Sequence, residues 1–66
     1  MKSGDLVRVT TSVYKAGVDY KDRVGLVIEA VEPDGLLETE AQVEVMFVNE
    51  RIWFYETELQ SIEKNV

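Results

Sequence analysis

Two carboxylate pairs, Asp19 with Asp22 and Glu56 with Glu58, have the residue type and spacing that shared acid–base chemistry uses. Both have plainer readings. Asp19 and Asp22 fall in a polar stretch, and Glu56 and Glu58 flank a predicted helical turn, whose positive end favours acids. A chain that is 30% charged produces such pairs by chance. Asp34, Glu38 and Glu40 supply oxygens of the kind calcium takes, but their spacing matches no calcium-loop signature, and they read as a solvated acidic loop. There is no His and no Cys. The commonest general base, the thiolate nucleophile, disulfides and Cys-ligated metal centres are therefore excluded. No catalytic residue, metal or cofactor is expected, and the chain reads as non-enzymatic.

The elements that would position any site are strands. A domain of 66 residues has a thin margin of stability and no staple, so it needs a tightly closed core or a partner. Short apolar runs and alternating patterns bounded by turn residues predict five strands in a single domain over 1–66. The first is Asp5–Thr10, with Val7 and Val9 on one face. A long polar connection, Thr11–Arg23, follows. The second strand, Val24–Val31, is apolar on both faces, so it is central or bulged near Gly25. Glu32-Pro33-Asp34-Gly35 has the composition of a type I turn, and Leu36–Ala41 reads as a loop or ragged edge.

Gln42–Val48 and Arg51–Tyr55 form a predicted hairpin around Asn49-Glu50, with Val48 opposite Arg51. That register gathers Val45, Phe47, Ile52 and Phe54 on a core face. Glu44, Met46, Arg51, Trp53 and Tyr55 take the other face. Glu56-Thr57-Glu58-Leu59 reads as one helical turn, and Gln60–Glu63 as a last strand with Ile62 inward.

Gly4-Asp5-Leu6-Val7-Arg8-Val9, Val24-Gly25-Leu26-Val27, Val43-Glu44-Val45-Met46-Phe47 and Trp53-Phe54-Tyr55-Glu56-Thr57-Glu58-Leu59 together resemble small SH3-like barrels of the KOW type. They are also similar to the peripheral subunits of photosynthetic electron-transfer complexes: the E subunit of photosystem I, the variable chain of ferredoxin–thioredoxin reductase, and the small S and O subunits of the cyanobacterial dehydrogenase-like complex. Short bacteriophage barrels, cyanophage ones included, are similar too. The resemblance spans nearly the whole chain. It implies an all-β, five-stranded SH3-like barrel with a long first connection and a helical turn before the last strand. Its motifs are mostly core positions, which specify fold better than function. In peptide-binding SH3 domains, aromatics of the first connection and of the sheet line a groove for extended ligands.

By that analogy Tyr14, Tyr20, Met46, Trp53 and Tyr55 are the candidate partner-binding residues, with Glu44, Glu56 and Glu58 as an acidic rim. Trp and Tyr are enriched at interface hot spots. The competing reading folds the first connection over the hairpin, with Tyr14, Val13 and Val18 covering Trp53. Seven Lys and Arg stand against thirteen Asp and Glu, a net charge of −6. Residues 1–33 balance five cations with five acids, while residues 34–66 carry two cations against eight acids, so the whole excess lies in the second half. This predicts a basic protein partner. Lys15, Lys21 and Arg23 form too small a basic spot for phosphate-dominated binding, so nucleic acid is not the expected partner. A nucleic-acid-associated KOW-like module and a photosynthetic-complex subunit are the alternatives, and self-association stays open. The longest apolar run, Leu26-Val27-Ile28, extends to five residues from Val24, far below the roughly 20 of a membrane helix. The N-terminal stretch lacks a signal-peptide core, so a cytoplasmic location is expected, the host's if the chain is phage-encoded.

Overall fold

A computed structural model describes residues 1–33, 35 and 40–62. The strands are β1 (Leu6–Val9), β2 (Tyr14–Lys15), β3 (Val18–Asp19), β4 (Val24–Val31), β5 (Gln42–Met46), β6 (Arg51–Tyr55) and β7 (Leu59–Ser61), with a 3₁₀ turn at Glu56–Glu58. Five of them form one antiparallel sheet in the order β6-β5-β4-β1-β7, and β2 and β3 form a separate ribbon. The chain is thus all-β, as expected. The expected closed barrel is not what the hydrogen bonds make: β6 and β7 are opposite edges, and no ladder joins them among the described residues. Asp34, Leu36 to Thr39 and Glu63 lie outside the described residues, so the Glu32–Gly35 turn, most of the Leu36–Ala41 loop, the Asp34/Glu38 oxygens and the end of the expected last strand do too.

The core lies on the inner face of the sheet. Val7, Val9, Val13, Tyr20, Val27, Val43, Val45, Phe54 and Leu59 are buried, with Phe47 and Ile52 packed against them. Alternation along β1 puts Val7 and Val9 inward, while Arg8 faces out and pairs with Asp22 at 3.0 Å. Tyr20, Phe47 and Phe54 form an aromatic cluster with centroid separations of 5.3, 6.0 and 6.1 Å.

The first connection is more ordered than its polarity suggests. Ala16 and Gly17 have φ of 51° and 80°, so they form a two-residue turn of the I′ kind, whose twist matches the flanking strands. Tyr14 then pairs with Asp19 and Lys15 with Val18. The ribbon is tied down by Tyr20 N–H to the Val13 carbonyl (3.0 Å) and Asp22 N–H to the Val9 carbonyl (2.8 Å).

β4 is central, between β1 and β5. Its bulge is at Ile28, where the β5 register shifts between Val27 and Glu29, rather than near Gly25. Gly25 pairs with Val7 and serves close approach instead. A Cβ there would overlap Val45 Cγ1 and lie 2.9 Å from the Met46 carbonyl oxygen and 3.0 Å from Phe47 Cε1.

The β5–β6 hairpin is shifted by two residues from the expected register. Met46, not Val48, is opposite Arg51, and Phe47–Glu50 is a four-residue loop closed by Phe47 N–H on the Glu50 carbonyl at 2.8 Å. Because side chains alternate with period two, a two-residue shift preserves which face each occupies. The pull is Phe47, which joins Tyr20 and Phe54 in the core, while Val48 stands 96% exposed at the tip.

β7 also begins earlier than expected. Leu59 follows directly on the 3₁₀ turn, pairs with Val9 and is buried beside it. Alternation then puts Ile62 outward, and its N–H bonds the Leu6 carbonyl at 2.9 Å, which corrects the expectation that Ile62 points inward.

Candidate interaction face

The outer face of the sheet is ordered by the same registers. One row across the strands reads Arg51, Met46, Leu26, Leu6, with Ile62 bonded beside Leu6. The next reads Trp53, Glu44, Glu29, and a third Tyr55, Gln42, Val31. Met46, Trp53 and Tyr55 are about two-fifths exposed (43%, 40% and 44%), so the hairpin does present them to solvent together. Met46 is diagonal to Trp53 on this face rather than directly opposite it.

Two of the five expected aromatic-face residues belong elsewhere. Tyr20 is buried at 2% exposure, with its ring packed on Phe47 and Phe54. Its hydroxyl donates to Glu50 Oε1 at 2.5 Å, and the Arg23 guanidinium lies 4.9 Å above its ring. That hydrogen bond, then burial and the Glu50 charge, push the Tyr20 phenol above its ordinary pKa, with Arg23 pulling the other way. Tyr20 is a core residue because the chain turns back under the sheet just after the ribbon. Tyr14 is 67% exposed on β2, and Val18 is exposed, so neither covers Trp53. Val13 instead enters the main core. The residue that the ribbon brings to this side is Lys15, which bounds a cavity of about 130 Å³ with Gln42, Trp53, Phe54 and Tyr55.

The three rim acids differ. Glu44 lies on the face itself, between Trp53 and Glu29. Two like charges directly opposed on neighbouring strands cost stability, and neither forms an ion pair among the described residues. Glu58 folds back over its own 3₁₀ turn, where its Oε1 accepts the Tyr55 N–H at 2.8 Å. Glu56 Oε2 lies 3.5 Å from the Met1 ammonium. Nothing in the residue pattern alone marks Glu29 or Glu50 as members of this surface. Only the bulge-shifted register places Glu29 beside Glu44, and only the Tyr20 fold-back gives Glu50 a partner.

Asp19 and Asp22 each have polar partners at the surface. Asp22 takes Arg8, and Asp19 accepts Ser12 Oγ (3.3 Å) and the Lys21 N–H (3.0 Å). In the basic spot, Lys15 Nζ lies 5.8 Å from the Phe54 ring centre and Arg23 lies over the Tyr20 ring, while Lys21 and Arg23 are both exposed. No helix among the described residues is long and apolar enough to cross a membrane. Comparison with known proteins adds no relative: no protein-family model matches this chain, and neither the curated proteins nor the solved structures yield a significant match.

Proposed function

We propose that the chain is a non-enzymatic SH3-like interaction module that binds a basic protein segment through the outer face of β5 and β6. The strand order, the ribbon in the first connection and the 3₁₀ turn before β7 support the SH3-like reading of the fold. One observation carries the functional reading: exposed Trp53 stands in register with Glu44 and Glu29, two opposed carboxylates that form no ion pair among the described residues. A lysine or arginine entering that row would relieve the repulsion and lie against the Trp53 ring, a cation–π arrangement stronger for Trp than for Tyr or Phe. The same surface suits an accessory subunit of a larger complex, whether photosynthetic or phage-encoded.

Trp53 is the single tryptophan, so its fluorescence reports this face directly. A lysine-rich decapeptide should change the emission in a saturable way. The effect should weaken with salt and be lost in the double variant Glu29→Gln, Glu44→Gln. A glutamate-rich peptide or a single-stranded RNA that produces the same response would reject the reading.

A further inference from the structure

β6 is a sheet edge, and its hydrogen-bonding parity can be read from both ends. Phe47 N–H bonds the Glu50 carbonyl at 2.8 Å, and Glu56 N–H bonds the Ala41 carbonyl at 2.9 Å, in the same register as the strand between them. In an antiparallel pair the bonded and non-bonded positions alternate. Ile52 and Phe54 therefore turn their main-chain groups toward β5, and Arg51, Trp53 and Tyr55 turn theirs away. The outward N–H of Tyr55 is taken by Glu58 Oε1 at 2.8 Å. Arg51 and Trp53 have no main-chain partner on that side among the described residues.

This edge is protected only in part: Glu58 covers the Tyr55 N–H, Arg51 is charged, and Lys15 lies beside Trp53 and Tyr55. Arg-Ile-Trp-Phe-Tyr holds no proline and no lysine, and its pairing with β5 is unbroken by a bulge. The charges at its ends select the occupant. A second copy pairing antiparallel about Trp53 would set Glu50 against Glu56 of the other copy at both ends, two like-charge contacts. A foreign extended segment with a basic residue at each end would meet those acids favourably. Around the edge Glu44, Glu50, Glu56 and Glu58 stand against Lys15, Arg51 and the Met1 ammonium, which lies 3.5 Å from Glu56, so acids exceed cations by one.

We infer that β6 accepts an extended, basic-ended segment of a partner protein as an added strand, bonded through the main chain of Arg51 and Trp53. This rests on the interaction-module reading and specifies its mode. The probe is an eight-residue peptide of alternating Val and Thr with Lys at both ends, added to the full chain and followed by amide hydrogen exchange in NMR. Exchange at the Arg51 and Trp53 amides should slow about tenfold or more, while Ile52 and Phe54, already bonded to β5, stay as they were. A version with Glu at both ends, and one N-methylated along its bonding edge, should give no slowing. Trp53→Pro removes an N–H that β5 does not use, so the sheet should survive but the protection at Arg51 should vanish, whereas Trp53→Val should keep it. Unchanged exchange with saturating peptide, or equal binding by the N-methylated peptide, overturns strand addition. If Trp53 fluorescence still responds in that case, face binding stands alone. A chain that sediments as a dimer without peptide, with the same two amides protected, makes a second copy the occupant and also overturns the inference.

Discussion

The Tyr20 hydroxyl donates to Glu50 Oε1 at 2.5 Å across thirty residues of chain, joining the end of the first connection to the β5–β6 loop. The bond does two things. It satisfies the one polar atom that the aromatic cluster buries, and it fixes the four-residue loop whose Phe47 packs on the same ring.

The raised Tyr20 pKa makes this bond a pH-dependent contribution. The folded state holds the phenol proton more tightly than the unfolded chain, whose tyrosine titrates near 10. The contribution is complete below that value and is lost as pH climbs through the folded-state pKa above it. Urea midpoints measured at successive pH values should therefore fall above about pH 10. In Tyr20→Phe the midpoint should be lower at neutral pH and this alkaline fall should be smaller. An alkaline limb of equal steepness in both proteins would show that Tyr20 does not cause it.

Gly25 should be the least replaceable glycine. An added Cβ meets Val45 Cγ1, the Met46 carbonyl oxygen and Phe47 Cε1, and two of those three neighbours are held by β5. Overpacking of this kind costs about 1–3 kcal/mol. Gly25→Ala should thus lower the melting temperature by roughly 4–8 °C per kcal/mol in a domain of this size. Gly4→Ala meets no atom within 4 Å, so its cost is only that of a φ of 97°. A Gly25→Ala protein as stable as the parent would contradict the packing described for β4 and β5.

What the sequence discloses and what it hides follow from one distinction. Face assignment depends on parity, so Val45, Phe54, Trp53 and Tyr55 are sorted correctly even though the hairpin register is off by two. Register depends on where the turn closes, and Asn49-Glu50 looks like a two-residue loop only if Phe47 stays in the strand. Phe47 leaves it because Tyr20, distant in sequence, offers a better contact. The same long-range contact hides the roles of the tyrosines. Tyr14 and Tyr20 sit in similar polar surroundings in the chain, and only the fold-back after β3 separates the exposed one from the buried one. The outward Ile62 was hidden likewise, because the 3₁₀ turn hands Leu59 to Val9 one residue sooner than the strand pattern suggests.

Ala16 carries a strain that one substitution should relieve. Its φ of 51° is in the left-handed region, which costs an ordinary L-residue about 1–2 kcal/mol. Asn tolerates that conformation, and Asn-Gly is the preferred pair for such a turn. Ala16→Asn should raise stability by roughly 0.5–1 kcal/mol without moving the Trp53 emission. An unfolding midpoint unchanged or lowered, in a chain with a normal spectrum, would show that the Ala16-Gly17 turn is not formed in solution.

Glu44 joins stability and binding in opposite senses. Opposed to Glu29, it costs the sheet roughly 0.2–1 kcal/mol, the usual size of a cross-strand pair effect. Glu44→Gln should therefore stabilise the free protein by about that amount, and more at low salt than at high salt, because screening already weakens the repulsion. The same change should reduce affinity for a lysine-rich peptide and flatten its salt dependence. Retaining a destabilising residue is common where a surface serves a partner. A Glu44→Gln protein that is more stable and binds the peptide equally well would leave the repulsion real but separate it from binding. One that is less stable would mean that Glu44 makes a favourable contact in the free chain, and the opposed-carboxylate account of this face would fail.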